Sequence, residues 1–355
     1  MSTQRIIRST PMRLAAAAGA IALLVSGCGS RPAAKQGGEA KDANGVVNMV
    51  MAPDPVWKWM EAQGIKQEME EKAGIQVLTS SSWDEFGVYA GGHADVVSAA
   101  SYEVPDLEKQ TGEKTTIFGK YNSDRSILAV PADSGAKTIC DLKGKKIVTH
   151  SAVSITIMWG IYARKFCDLE LRAGGGDFKL VVTDPQNASG LIERGDADAG
   201  LLLPDFSIKQ LSSGAIKPLY DSKSVSQIYA EEFLKDPKDD THPQNNVFVA
   251  RKAWVEKNPE EASFLIKLWD RGVQEWAKHR DEIIKAYPED FAAETPKEKA
   301  FIQDWVTNKY DWFVESAYLD QAWVDTETKL FELMKETGYV DKKTPPLDFT
   351  ILPKA

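Results

Sequence analysis

The chain contains few of the residues that build metal centres and disulfide frameworks. Its 355 residues include three cysteines and four histidines. The histidines lie far apart and form neither an HExxH motif nor a close pair, which argues against a zinc site. In an exported protein, Cys140 and Cys167 would either form one disulfide or remain two buried thiols. We therefore expect no metal and no cofactor, and the state of these two cysteines stays open.

Enzyme motifs are also missing. The sequence has no G-x-S-x-G stretch for a serine nucleophile. The stretch TGEKTT resembles part of a phosphate-binding loop, but Leu107 stands where the first glycine is needed and an extra residue separates Gly112 from Lys114. The glycines at 174–176 are followed by no G-x-G-x-x-G pattern, so we interpret them as a helix end rather than a dinucleotide site. We expect no catalytic activity.

Long apolar segments are absent after the first 27 residues, and so is an excess of basic residues. No later segment approaches the ~20 residues that a helix needs to cross a bilayer. The formal net charge is −9, and it becomes −12 without residues 1–27, which carry three arginines. An acidic body argues against non-specific nucleic-acid binding, which depends on basic surface. The charge of a small ligand stays open, because a pocket can differ in sign from the surface.

The first 28 residues have the layout of an export signal that ends in a lipid attachment site. A basic leader precedes an apolar run at 14–25, which is too short to span a bilayer. The sequence Val-Ser-Gly-Cys then resembles the bacterial lipobox, in which cleavage leaves Cys28 as a lipid-modified N-terminus; an ordinary signal peptide with an incidental cysteine is the alternative. Buried acyl chains such as palmitate contribute ~0.8 kcal/mol per CH₂ and anchor without a spanning helix. We predict a signal peptide at 1–27, a flexible tether at 28–44 and a membrane-held, extracytoplasmic protein.

From residue 46 onward, short apolar runs alternate with amphipathic stretches, which is typical of α/β proteins. GVVNMVMA, IQVLTS and ADVVSAA predict strands, with one helix over DPVWKWMEAQGIKQEMEEKAG that ends at Gly74 and another over SSWDEFGVYAGG. The order repeats, since KKIVTHS, FKLVVTD and ADAGLLLP predict strands separated by helices over AVSITIMWGIYARKF and PQNASGLIERG. In both series a glycine and an aspartate-bearing turn, at 92–95 and 195–198, lead into the third strand. We predict two similar lobes.

Several stretches of the second half point to a protein family. DLKGKKIV resembles the DLKGKKV signature of type II solute-binding proteins of ABC importers. It is followed by Thr-Asp-Pro, Gly-Asp-Ala-Asp-Ala and Pro-Asp, an order similar to that of the group binding sulfonates, taurine, nitrate, aromatic carboxylates and thiamine-precursor pyrimidines. The resemblance covers residues 46–290. It implies the two-lobe type II periplasmic-binding-protein fold, with mostly parallel sheets flanked by helices.

The resemblance also implies a hinge of two crossing segments between the lobes. We place these crossings near 127–131 and 245–248. Residues 46–128 and 246–355 would then form lobe 1, and residues 129–245 would form lobe 2. Proteins of this kind close around their solute by hinge motion.

The ligand of such a protein is expected beyond the carboxyl ends of the strands. Helices begin at most of these strand ends, so free backbone N–H groups and positive dipole ends would suit an anionic group. The rule selects the loops at 52–57, 80–83, 98–102, 150–154, 184–187 and 203–206. The candidate ligand-binding residues in or near them are Trp57, Ser82, Trp83, Ser101, Tyr102, Arg125, Ser151, Ser154, Asp184 and Asp205.

Several candidates have a plausible structural role instead. Trp57, Trp83 and Tyr102 would either hold a planar or aliphatic ligand or pack in the core. Ser82 fits a capping box with the glutamate three residues later. Arg125 would either clamp a carboxylate through two hydrogen bonds or lie solvated at the surface.

The sequence thus favours a lipid-anchored, monomeric receptor of an ABC importer. It would capture a small organic anion, a sulfonate or an aromatic carboxylate, and deliver it to a permease whose ATPase is another chain. A neutral pyrimidine precursor or nitrate is the alternative ligand. A tethered sensor or scaffold lipoprotein that contacts another protein is the rival interpretation.

Overall fold

The computed structural model describes residues 45–82, 85–234, 244–309 and 313–354, and builds them into two five-stranded sheets with helices around them. The predicted two-lobe α/β fold is confirmed. The strands are β1 Gly45–Met51, β2 Ile75–Ser81, β3 Val96–Ala99, β4 Thr115–Ser123, β5 Ile127–Pro131, β6 Lys146–Thr149, β7 Leu171–Arg172, β8 Gly175–Gly176, β9 Lys179–Val182, β10 Ala199–Leu202, β11 Ile216–Pro218 and β12 Gln244–Arg251.

The two sheets share one strand order. The first sheet runs β2-β1-β3-β12-β4 and the second runs β9-β6-β10-β5-β11. In each sheet the first three strands are parallel, and they come from a strand-helix-strand-helix-strand series. The fourth strand, β12 or β5, is antiparallel to both its neighbours. Each sheet is therefore mixed, because β12 in the first sheet and β5 in the second run antiparallel to the third strand of the parallel series.

The aspartates of the two repeated turns make the same hydrogen bonds. The backbone N–H of Asp95 donates to the carbonyl of Asn48 at 2.8 Å, and its carboxylate accepts from the Asn48 N–H at 2.9 Å. In the second lobe, the Asp198 N–H donates to the Lys146 carbonyl at 2.9 Å and its carboxylate accepts from the Lys146 N–H at 2.8 Å. Both aspartates thus tie the start of a third strand to the first strand of its series, and the predicted internal similarity is confirmed.

The four helices predicted between the repeated strands are present at the predicted positions, with one difference. The segment predicted as a single helix up to Gly74 is two helices, because Gly64 adopts a left-handed backbone with φ of 70° and ends the first. The helices are α1 Pro55–Ala62, α2 Ile65–Ala73, α3 Glu85–Ala90, α4 Val104–Thr111, α5 Ser154–Cys167, α6 Pro185–Glu193, α7 Ile208–Ser213, α8 Val225–Tyr229, α9 Lys252–Lys257, α10 Pro259–Ala286, α11 Pro296–Asn308 and α12 Gln321–Thr337. Among the described residues, none of these helices is long and apolar enough to cross a membrane.

The two segments predicted as crossings are strands that each belong to a single sheet. Strand β5, placed at the first crossing by the sequence, belongs wholly to the second sheet, so the chain crosses at 124–126. Strand β12, which contains the predicted second crossing at 245–248, belongs wholly to the first sheet. The difference arises because an apolar strand looks the same in sequence whether it bridges two lobes or begins one.

Helix α12 packs on both lobes, although the sequence assigned all of 246–355 to lobe 1. Trp323, near its start, packs in a core cluster of the first sheet. Leu330, Phe331 and Met334, further along, pack in the core of the second sheet. The chain then returns to the first sheet, where Phe349 forms a bridge to β4. The C-terminal region therefore makes a third link between the lobes.

Cys140 and Cys167 form a disulfide, with their Cα atoms 5.5 Å apart. The bridge joins the segment before β6 to the last residue of α5. The question that the sequence left open is settled in favour of the bridge.

Candidate functional site

A cavity of about 240 Å³ lies where the strand ends of the two sheets face each other. Four of the six loops selected from the sequence line it, those after β1, β3, β6 and β10. The wall is completed by residues from the end of β4, the start of β12 and the segment after α10, including Asn122, Arg125, Asn246, Asp290 and Phe291. Both lobes thus contribute to one site at the predicted edge of each sheet.

Arg125 and Asp205 form an ion pair inside this cavity. The guanidinium donates from Nε and Nη2 to the two carboxylate oxygens, both at 2.9 Å. The Arg125 side chain is 12% exposed and that of Asp205 is 4% exposed. Arg125 lies in the crossing segment and Asp205 follows β10 of the second lobe. Arg125 therefore does clamp a carboxylate bidentately, but the carboxylate belongs to the chain itself.

Asp54 lies at the start of α1 and is held by hydrogen bonds from two sides. Its Oδ1 accepts from the Val56 N–H at 2.8 Å, which caps the helix, and its Oδ2 accepts from the Tyr121 hydroxyl at 3.1 Å. Tyr121 in turn accepts from the indole N–H of Trp57 at 3.1 Å. Burial raises the pKa of Asp54 to about 6, against the lowering effect of these hydrogen bonds. Asp54 thus presents a buried carboxyl group at the cavity wall.

Glu103 presents a second carboxyl group from the same lobe. It lies in a short 3₁₀ turn after β3, and its Oε2 accepts from the Ala100 N–H at 2.9 Å. Burial raises the pKa of Glu103 to about 7. At both Asp54 and Glu103, the start of the helical segment facing the cavity is therefore capped by the chain's own acidic side chain.

The second lobe contributes His150, Ser151 and Ser154 after β6. Burial and, to a smaller extent, the nearby Arg125 charge lower the pKa of His150 to about 4 against the raising effect of Asp205, so the imidazole is neutral at pH 7. Ser151 accepts the Val153 N–H through its hydroxyl at 3.2 Å. Ser154 has a left-handed backbone with φ of 37° at the first turn of α5. Strained residues of this kind concentrate at ligand clamps and active sites.

Four of the ten predicted binding residues line the cavity, namely Arg125, Ser151, Ser154 and Asp205. The structure places Trp57, Ser101 and Tyr102 behind the wall. Trp57 is 2% exposed and stacks on Trp269, with ring centroids 5.1 Å apart. Ser101 donates its hydroxyl to Glu327 of α12 at 2.5 Å, and Tyr102 packs in the core cluster of the second sheet.

Ser82 and Asp184 do not line the cavity. They follow β2 and β9, which lie at one edge of each sheet beside β1 and β6, and the wall is formed from the ends of β1, β3, β4, β6 and β10 instead. Asp184 is exposed at the start of α6. Trp83 and Cys28 lie outside the described residues.

Sequence reasoning missed several wall residues, above all Asp54, Glu103 and Asn122. Asp54 belongs to a selected loop, and the Asp-Pro pair before an amphipathic helix is a recognisable capping signal. Glu103 lies one residue beyond its loop. Asn122 lies at the end of a strand outside the repeated series, and its position on the wall depends on sheet order.

No group of three or more histidine, cysteine, aspartate or glutamate side chains in the described part of the chain is arranged to hold a metal ion. The cavity therefore offers carboxyl, hydroxyl and amide groups, one paired guanidinium and a neutral imidazole. This set suits reversible binding of a polar organic molecule.

Comparisons with known proteins give matches only at the level of structure: no family model and no curated sequence matches the chain. The chain is similar to the periplasmic aliphatic sulphonate binding protein SsuA from Escherichia coli, with 13% identity, 87% of this chain and 95% of that chain covered, and a TM-score of 0.62. It is similar to the alkanesulfonate-binding protein SsuA from Xanthomonas axonopodis pv. citri bound to MOPS, with 14% identity, coverage of 84% and 95%, and a TM-score of 0.61.

A third similar structure is the periplasmic nitrate-binding protein NrtA from Synechocystis PCC 6803. The identity is 15%, the alignment covers 84% of this chain and 83% of that chain, and the TM-score is 0.57. Identities this low carry information about fold only. The resemblance inferred from the sequence is confirmed at that level, and the chain has the fold of the periplasmic solute-binding proteins.

Proposed function

We propose that this protein is the extracytoplasmic solute receptor of an ABC importer and captures a small molecule between its two lobes. One observation carries the proposal: the strand ends of both sheets line a single cavity, with the crossing segment at its side. The fold shared with sulfonate- and nitrate-binding proteins supports it. The protein acts as a monomer and hands its solute to a permease, with the ATPase on a separate chain. Its role is binding, not catalysis.

The lipid anchor at Cys28 is part of the same proposal. The lipobox-like sequence before Cys28 supports it, and several acyl chains suffice for stable attachment. Growth of a bacterial host with a labelled fatty acid should label the full chain. Cys28→Ser should abolish the label, whereas Cys140→Ser should retain it. Equal labelling of the wild type and Cys28→Ser would refute the anchor.

The organic-anion ligand predicted from the sequence finds mixed support. The names of the similar structures favour a sulfonate or nitrate. The cavity wall argues against an anionic ligand, because the guanidinium of Arg125 is already paired with Asp205. An anion that displaced Asp205 would leave a carboxylate 4% exposed and unpaired, which costs about 3–5 kcal/mol. Among the ligands considered from the sequence, the wall favours the neutral pyrimidine over the anions.

Receptor function can be tested without knowing the ligand. A library of small metabolites is screened by thermal shift against the full chain, and hits are measured by calorimetry. A true ligand at about 100 times its Kd should add about 2.7 kcal/mol of stability. Closure should also reduce the radius of gyration in solution scattering, because a ligand shifts the hinge only by binding the closed form better. A library without a single hit would favour the rival scaffold interpretation.

A further inference from the structure

The cavity wall is rich in carboxyl groups on the side of the first lobe. Of the described residues that line it, five carry carboxyl groups, and Arg125 is the one that carries a guanidinium or ammonium group. The Arg125 charge is matched by Asp205 at 2.9 Å, and Asp290 is paired with Lys58 at 2.7 Å. Among the described residues, neither Asp54 nor Glu103 forms an ion pair with a cationic side chain, although the Arg125 charge lowers the pKa of Asp54 against the larger effect of burial.

The positive ends of the helical segments do not compensate for these carboxyl groups. Asp54 caps the start of α1, and Glu103 caps the 3₁₀ turn after β3. The N–H groups that would otherwise attract an anion are therefore occupied by acidic side chains. The dipole argument that favoured an anion in the sequence loses its force at these two strand ends.

Two further polar groups of the wall lack partners. The Ser98 hydroxyl and the Asn122 side-chain carbonyl have no hydrogen-bond partner in the described part of the chain, and these residues are 2% and 6% exposed. Both residues line the cavity. Buried polar groups are seldom left unsatisfied without a functional reason. A ligand with N–H donors would satisfy the Asn122 carbonyl, and the Ser98 hydroxyl would accept as well as donate.

We propose that the ligand carries a protonated nitrogen group, an ammonium or amidinium, which is bound by the carboxylates of Asp54 and Glu103. This inference rests on the proposed receptor function and replaces the anion with a cation. Phe86, Phe206 and Phe291 on the wall contact the organic body of the ligand, and aromatic faces are compatible with a cationic group. The raised pKa values of Asp54 and Glu103 agree, because a bound cation would stabilise the charged form that burial disfavours.

The test uses pairs of probes with the same shape and opposite charge. Benzamidine is compared with benzoate, and propylamine with propanesulfonate, within the metabolite library and at pH 7.5. We expect the cationic member of a pair to bind at least tenfold more tightly to the full chain in calorimetry. Anionic compounds as the only hits would overturn the inference and leave the receptor function standing. A library without any hit would overturn both.

The variants Asp54→Asn and Glu103→Gln test the two carboxylates directly. Each should weaken binding of the cationic hit at least tenfold, since both substitutions keep the shape and capping ability of the side chain. Asp320→Asn is the matched control, because Asp320 caps α12 by accepting from the Trp323 N–H at 2.9 Å and does not line the cavity. It should change the affinity less than twofold. Unchanged affinity in both Asp54→Asn and Glu103→Gln would refute the assignment.

Discussion

Breaking the Arg125–Asp205 pair should destabilise the protein strongly. Asp205 is 4% exposed and accepts two hydrogen bonds from Arg125 at 2.9 Å. Asp205→Asn therefore leaves the positive charge of Arg125 buried without a neutralising carboxylate. Loss of one partner of a buried pair costs about 3–5 kcal/mol. We expect the free energy of unfolding, measured in urea at pH 7, to fall by about 3 kcal/mol, because the asparagine retains one acceptor.

An exposed pair and a double substitution provide the controls. Asp168→Asn removes one of the two carboxylate partners of Arg164, at 3.3 Å, but the Asp168 side chain is 92% exposed, so the change should stay below about 0.5 kcal/mol. Arg125→Met combined with Asp205→Leu should be less destabilising than Asp205→Asn alone, because no unpaired charge is left behind. A loss below about 1 kcal/mol for Asp205→Asn would show that the pair is not a buried, coupled element.

Three further predictions concern stability. Replacing Cys140 and Cys167 by serine should lower the free energy of unfolding, measured in urea, by about 3.5 kcal/mol, because the unfolded chain regains the entropy that the disulfide removes from a loop with a sequence separation of 27. A change below about 1 kcal/mol would contradict this prediction. His150 has a pKa of about 4 in the folded protein and about 6.5 when unfolded, so its contribution to stability is present above pH 6.5 and is lost as the pH falls toward 4. His150→Gln should remove about 3 kcal/mol of this acid-induced loss of stability. Parallel profiles of unfolding free energy against pH for variant and wild type would refute the prediction. Asp54 has a raised pKa of about 6, so its ionisation destabilises the folded protein above pH 6 and has no effect below pH 3.8. Asp54→Asn should therefore stabilise the protein by up to about 3 kcal/mol at pH 8 and leave its stability unchanged at pH 3.5. A destabilised variant at pH 8 would contradict the raised pKa.

The secondary structure and the internal repeat could be predicted because they depend on local patterns. Alternating apolar runs identify β1 and β6, and the aspartates at 95 and 198 signal equivalent turns before the third strands. Of the six loops that the strand-end rule selects, four line the cavity. The one long helix predicted up to Gly74 was wrong because Gly64, inside the amphipathic stretch, adopts a left-handed backbone and divides the stretch into two helices.

The composition of the cavity wall could not be predicted because it depends on strand order and on distant partners. Ser82 and Asp184 follow strands that lie at the sheet edges, and no feature of their sequence neighbourhood distinguishes an edge strand from a central one. The pairing of Arg125 with Asp205 joins residues 80 positions apart, so the sequence shows two polar residues but not that each neutralises the other.

The sequence by itself determined which segments of the repeated series become strands and helices, that the series occurs twice, and which loops follow the strand ends. Those properties follow from side-chain periodicity and backbone preferences within a few residues. Only the tertiary structure decided that Trp57 stacks in the core, that α12 links both lobes, and that Asp54 and Glu103 face the cavity. The physical reason is that burial and charge pairing arise between segments far apart in sequence, and both are set by how the sheets pack.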